Sequence, residues 1–300
     1  MKFTRREALL SAAVGSATRG KAASHPLPVV SFGPHIISRL IVGGNPVSGN
    51  SHWTPQLSQE MLDYFRSDNV KRMLRDCERA GINTWQSRGD PHISRLLREY
   101  RQEGGRIQWI AQTASEIMDL NRNLNRIILP EDPLGIYHHG SRTDQMWKAG
   151  KIDTVRDALK TISDTGKRVG LGTHIPEVID YVESKGWDVD FYMTCVYNLS
   201  RSEEEKNRLA GGKAPSELFW NPDRVEMLKR VRQTSRQCLI FKVYGASRLC
   251  KSRQQMLDAL KLVFEYAKPN DAIVIGMFPK YKDEVTENAQ LLFEAVRAAS

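Results

Sequence analysis

Short apolar runs alternate with longer stretches of helical period from residue 28 to the end of the chain. The runs are Leu40–Gly43, Thr84–Gln86, Ile107–Ala111, Leu134–His138, Val169–Gly172, Phe191–Tyr197, Leu239–Val243 and Ala272–Ile275. They are rich in branched or aromatic residues and bounded by Gly, Pro or Asn, as parallel strands buried on both faces are. Between them the apolar positions recur every three or four residues. Asn69–Ala80 gathers Val70, Met73, Leu74 and Cys77 on one face, and Arg253–Tyr266 gathers Met256, Leu257, Leu260 and Phe264. Eight such units predict an α/β fold whose parallel sheet closes into a (β/α)8 TIM barrel. A doubly wound sheet is the alternative, but Gly43-Gly44-Asn45-Pro46 after the first run lacks the third glycine and the helix start of a dinucleotide fingerprint.

Two segments stand outside the repeat. Leu27–Phe32 turns at Gly33-Pro34 into Ile36–Leu40, which reads as an N-terminal β-hairpin able to plug the barrel bottom. Residues 201–224, with Glu203–Glu205, Gly211-Gly212 and Pro215, make a long polar connection after the sixth strand. Barrels place binding elements on such loops, although its charge run equally suits a solvated face.

Residues 1–24 follow a different grammar. A basic start precedes a short stretch of small apolar residues, Ala8 to Ala17, and then a polar region. That is the pattern of a signal peptide, too short for the about 20 residues of a membrane span. Thr4-Arg5-Arg6 resembles a twin-arginine signal, with Leu9 in keeping and Ala8 departing from the usual bulky residue. The expectation is therefore an exported protein, periplasmic or extracellular, with residues 25–300 as a single barrel domain. A basic amphipathic helix on a cytoplasmic protein is the other reading of this segment.

Composition narrows the rest. The chain is 40% hydrophobic and 26% charged, enough for a packed core, and its formal charge is +9. Without the first 24 residues, 39 basic side chains face 34 acidic ones. That excess is spread along the chain and not gathered with aromatics into a stripe, so nucleic acid is not an expected partner. No membrane partner is expected after signal removal, and a small molecule is the expected ligand. Cys77, Cys195, Cys238 and Cys250 form no C-x-x-C pair, and Cys195 and Cys238 lie in apolar runs as buried thiols would.

Several segments are similar to the aldo-keto reductase family, in the family's order. Val29 to Gly44 (VVSFGPHIISRLIVGG) resembles its opening hairpin and first strand. Ala158 to His174 (ALKTISDTGKRVGLGTH) resembles its fifth strand, which ends in Ser-Asn there. Val189 to Arg201 (VDFYMTCVYNLSR) resembles the sixth strand and its Tyr-Asn-Leu turn, and Phe241 to Leu249 (FKVYGASRL) the seventh strand. Ile275 to Leu292 (IGMFPKYKDEVTENAQLL) is similar to the eighth strand and the helix after it. The resemblance implies the barrel and NADP(H)-dependent carbonyl reduction, in which a Tyr donates the proton with a Lys, an Asp and a His around it.

Residue by residue, that set is mostly replaced. Gln86 stands where the family has Asp, the Tyr position falls near Pro91 and His92, and Gln112 or Thr113 occupies the Lys position. His138 in LGIYHHG matches the family's His, while His139 alternates to the opposite side. His138, Gln86 and His92 are thus the candidate catalytic residues, with a histidine bonded only within the protein as the other reading of His138. Resemblance further implies cofactor contacts from Asn45, Thr173, His174, Lys242, Ser247, Lys280, Glu287 and Asn288. Lys280 reads equally as a surface lysine, and Glu287 with Asn288 as an ordinary helix surface. A metal site from His92, His138 and His174 lacks H-x-H or H-E-x-x-H spacing.

Two functions are compatible with these residues. One is an exported NADP-type oxidoreductase whose proton comes from His138 or His92. The other is a barrel that has lost redox chemistry and binds a small ligand, or uses a cluster of its histidines in metal-assisted chemistry of isomerase or lyase type. For the export signal, replacing Arg5 and Arg6 together by lysine should leave full-length precursor inside the cell, and undiminished export would overturn the twin-arginine assignment.

Overall fold

The computed structural model describes residues 26–299, so the expected signal at 1–24 lies outside the described residues. Strands β1 (Val29–Phe32) and β2 (His35–Ser38) pair antiparallel across the turn at Gly33. Then β3 (Leu40–Gly43), β4 (Thr84–Arg88), β5 (Gln108–Gln112), β6 (Gly135–His138), β7 (Arg168–Thr173), β8 (Phe191–Cys195), β9 (Gln237–Phe241) and β10 (Ala272–Gly276) run parallel, each beside the next. β10 pairs with β3 and closes the ring. This is a (β/α)8 barrel with an N-terminal hairpin.

Helices α1 (Pro55–Tyr64) and α2 (Ser67–Arg79) follow β3, and α3 (Pro91–Gln102) follows β4. After β5 comes a short turn of helix, α4 (Leu120–Asn123), which continues as a π segment (Leu124–Ile128) and a 3-10 turn (Leu129–Glu131). The remaining helices are α5 (Gly140–Lys148), α6 (Asp153–Ser163), α7 (Pro176–Ser184), α8 (Glu203–Ala210), α9 (Pro222–Gln233), α10 (Arg253–Tyr266) and α11 (Glu284–Ala299). Their starts are written in the sequence. Thr54, Asp90, Ser202 and Ser252 each accept a backbone N–H of the first turn, and Pro55 and Pro91 fill positions that need no N–H.

Strand alternation sorts the apolar residues into two layers. Leu40, Val42, Trp85, Trp109 and Ile136 face outward into the main core beneath the helices. Ile41, Ile110, Tyr137, Met193, Leu239 and Val274 turn into the barrel interior. The hairpin completes that inner layer with Phe32 and Ile37, both fully buried. Phe32 stands edge-on to Phe191 at 5.0 Å, and the Arg168 guanidinium covers its ring at 4.6 Å. Glycine makes room: a Cβ on Gly135 would lie 3.0 Å from Phe32, and one on Gly170 would lie 2.3 Å from Phe191.

The expected strands all form, Leu40–Gly43 with the expected ends and the others with shifted ends. The clearest shift is in β9, which stops at Phe241 because Lys242 takes φ +60°, outside any strand conformation. All four cysteines are free thiols, with Cys195 and Cys238 buried as expected. Among the described residues no helix is long and apolar enough to cross a membrane.

Because the plug ring is packed on all sides, Phe32→Ala should lower the unfolding free energy by about 3–5 kcal/mol in urea titration. Val29→Ala, at a side chain 57% exposed, should stay within about 0.5 kcal/mol. Equal effects of the two would show that the hairpin does not close the barrel.

Candidate active site

Three side chains at the end of β6 are placed by the two-residue period of a strand. Tyr137 faces the barrel interior, where its hydroxyl accepts from Gln86 Nε2 at 2.7 Å and also meets the Gln112 side chain. Burial pushes this phenol above its ordinary range, so it is a neutral hydroxyl at the floor of the mouth. His138 then turns outward, and its Nδ1 lies 2.8 Å from Thr143 Oγ1 of α5. His139 returns to the mouth. The sequence expectation assigns these two histidines the other way round. A one-residue slip in parity exchanges inside for outside, and the interior position of Tyr137 fixes it.

His139 also starts α5. Its Nδ1 accepts the backbone N–H of Ser141 at 3.1 Å, an N-cap contact made by an imidazole. An N–H can only donate, so the proton of a neutral His139 sits on Nε2. Burial, with the nearby charges of His174 and Arg88, brings its pKa down to about 4, so the ring is neutral at ordinary pH. Its backbone N–H donates to Thr113 Oγ1 at 3.1 Å.

Further along the same helix, Asp144 is 1% exposed and accepts from several donors. Thr173 Oγ1 and Ser200 Oγ each donate at 2.6 Å, the His174 backbone N–H donates at 3.2 Å, and His174 Nδ1 donates at 2.7 Å. Burial would raise this carboxyl, but His174, Ser200 and Thr173 together hold it below the usual carboxylate range. A carboxylate only accepts, so Nδ1 of His174 carries a proton, and in the neutral ring the lone pair is on Nε2.

These groups line a polar chamber of about 200 Å³ at the C-terminal ends of the strands, where Tyr137, His139 and His174 face Gln86, Arg88 and Gln112. A larger chamber of about 430 Å³ adjoins it, bounded by β3, β9, β10 and the loops after them. Asn45, Asn50, His52, Gln86, Phe241 and Lys242 line both. A second imidazole–carboxylate pair stands at this boundary: His52 Nδ1 lies 2.9 Å from Glu217, and His52 Nε2 lies 3.2 Å from Asn45 Nδ2. Burial lowers the pKa of His52 although Glu217 opposes it. Strain gathers here too. Five non-glycine residues among those described have positive φ, and four of them, His52, Lys242, Ala246 and Ser247, line the larger chamber.

The residues expected at the site divide accordingly. Gln86, Asn45, His174 and Lys242 reach the chambers, and Ser247 and Asn288 line the larger one. Thr173 does not line them: it is buried behind His174, bonded to Asp144. His138 is turned away towards α5. His92 is exposed in the first turn of α3, because Asp90 caps that helix and directs the chain off the mouth. Lys280 is paired with Glu60 at 2.5 Å and Glu287 with Lys282 at 2.6 Å; Lys282 lines the larger chamber, whereas Lys280 and Glu287 do not. Sequence reasoning misses His52, Tyr137, Asp144 and Glu217. Glu217 lies in the 201–224 connection, whose position after the sixth strand is the available signal. Among the described residues no cluster of three His, Cys, Asp or Glu could hold a metal ion.

No protein-family model matches the chain, and no curated protein does. Solved structures do. A truncated 3-deoxy-D-arabino-heptulosonate 7-phosphate synthase from Thermotoga maritima is 13% identical, with TM-score 0.50 over 91% of this chain and 90% of its own. Gox0644 in its apo form is 10% identical, with TM-score 0.53 over 92% and 93%. The holo form of an aldo-keto reductase from Bacillus halodurans is 12% identical, with TM-score 0.50 over 92% and 97%. The likeness is one of fold. The barrel is shared with an aldo-keto reductase and with other enzymes alike.

Burial also brings the pKa of His138 down to about 4, from an ordinary value of 6.5 that both histidines regain on unfolding. Groups with depressed folded pKa values stabilise fully above 6.5 and lose that contribution as pH falls towards 4. The thermal midpoint should therefore fall between pH 6.5 and 5, and less steeply in the double variant His138→Gln/His139→Gln. An identical slope in both proteins would show that these rings are not buried neutral.

Proposed function

We propose that the mouth of this barrel catalyses proton transfer on a small carbonyl or hydroxycarbonyl compound, a reaction of isomerase or lyase type. One observation carries the reading: two imidazoles line the same chamber with their nitrogens used in opposite senses. His139 spends Nδ1 as an acceptor and presents a donor, whereas His174 spends Nδ1 as a donor and, as the neutral ring, presents a lone pair. A proton donor and a base on either side of one small space are what removal of a proton beside a carbonyl requires.

The roles follow from the chemistry of each group. His174 Nε2 takes the proton from carbon, and the buried Asp144 carboxylate stabilises the imidazolium so formed. The negative charge moves to the substrate oxygen, where the His139 Nε2–H and the Tyr137 hydroxyl are the neutral donors of the chamber. Gln86 holds that hydroxyl in place. A neutral imidazole can play this part because burial has already removed its charge.

A second reading, NADP(H)-dependent carbonyl reduction, is favoured by the larger chamber. Asn288 lines it with a buried Oδ1 that has no hydrogen-bond partner, and Ser247 and Lys242 line it as well. These residues fit a dinucleotide and would hold it there; when bound it would supply hydride. Lys280, engaged by Glu60, is not placed to help.

Proton exchange separates the two. The protein in D2O, given dihydroxyacetone, glyceraldehyde and a series of 2-keto acids, should exchange the proton beside the carbonyl of at least one, read by proton NMR. His174→Gln should slow that exchange by about 10²–10⁴-fold. Absence of exchange across the series overturns the proposal. If NADPH then binds and is oxidised by a carbonyl compound, the second reading replaces it.

A further inference from the structure

Among the described lysines and arginines, Lys242 alone lines both chambers. It follows β9 directly, at the wall common to both chambers, and its backbone takes φ +60°. No carboxylate of the described residues lies within 4.0 Å of Nζ, and none of their polar groups hydrogen-bonds it. The Phe219 ring has its centroid 5.9 Å from Nζ, and Cys195 and Glu217 are near enough to act on the amine electrostatically. Arg88, by contrast, pairs with Asp90 and Glu116, and Arg248 donates to the carbonyl oxygens of His52 and Gly245. A strained backbone that aims an unpaired lysine into a cavity costs free energy, and such costs collect where the side chain has a task.

Resting on the proton-transfer reading, we propose that Lys242 is a covalent nucleophile that forms an imine with the carbonyl substrate. The Nζ lone pair makes a C–N bond to the carbonyl carbon while one amine proton passes to the oxygen. The resulting hydroxyl takes a second proton from a neighbouring acid and leaves as water, giving a protonated imine. Its positive nitrogen then takes the place of the departed oxygen as acceptor of electrons from the adjacent C–H bond, and His174 removes that proton; reprotonation at carbon and hydrolysis of the imine by water restore the amine. The surroundings suit the first step. Burial lowers the pKa of Lys242 although Cys195 and Glu217 oppose it, which enlarges the neutral, nucleophilic fraction, and no close ion pair among the described residues has to break. The polar chamber, about 200 Å³, suits a short polyhydroxy or keto compound of a few carbons.

Trapping tests this directly. The protein is incubated with dihydroxyacetone or pyruvate as probe and sodium cyanoborohydride, then digested and mapped by mass spectrometry. The expected result is a reduced adduct on the peptide holding Lys242, formed at least about tenfold faster than on any other lysine. An adduct spread evenly over surface lysines, or absent from Lys242, overturns the imine. This measurement uses the parent protein and holds even where a variant fails to fold. Lys242→Arg, which keeps the charge and cannot form an imine, should abolish both the adduct and the proton exchange. Exchange that persists in Lys242→Arg removes the imine and leaves the proton-transfer reading intact. Adduct on Lys242 without exchange in the parent protein does the reverse.

Discussion

A carboxylate taken out of water costs several kcal/mol unless protein donors replace the lost solvent. Asp144 is such a group, and the donors that satisfy it come from separate places in the chain. Thr173 and His174 end β7, Ser200 follows β8, and Asp144 itself lies on α5. Meeting this one requirement fixes the distance between two neighbouring strand ends and the helix that covers them. It also fixes the tautomer of His174. Because His139 caps the same helix, the second imidazole of the chamber is tied to the first through α5. The chemistry of the mouth thus depends on the solvation of one buried ion.

The barrel is legible in the sequence because each strand is a short apolar run between punctuating residues, and eight of them in parallel have one way to close. The site is less so. In LGIYHHG the residues before the histidines are apolar on both faces, as a doubly buried strand demands, and so carry no alternation from which inside and outside can be told. That is why His138 and His139 exchange places between expectation and structure. His92 is a different case, since Asp90-Pro91 is a helix start written in the sequence and already directs His92 to the surface. Asp144 and Glu217 escape recognition, because a carboxylate on a helix or a polar loop looks like surface until its partners are known. Gln86 is found by position, and the structure gives it a tyrosine from another strand, Tyr137.

The barrel is a fold that hosts unrelated reactions, and the solved structures similar to this one include a synthase and a reductase. Fold therefore leaves the reaction open, and the side chains at the mouth decide. Here they supply neutral donors, imidazoles backed by carboxylates and one lysine that no carboxylate of the described residues approaches within 4.0 Å. Backbone strain concentrates at the same place, along the wall of the larger chamber, while the interior below is packed with apolar side chains in ordinary strand geometry.

Above the chambers, the Arg248 guanidinium lies between the rings of Trp53 and Phe219, 4.6 and 3.9 Å from their centroids, and donates to the His52 carbonyl oxygen. Three loops that begin at different strands are clasped by one side chain. Barrels are often treated as modular, with loops that can be grafted from one scaffold to another. In this protein the first, sixth and seventh loops would have to be transplanted together, because each supplies part of a single stack. Divergence of its chemistry should then proceed by substitution within that stack more readily than by exchange of a loop.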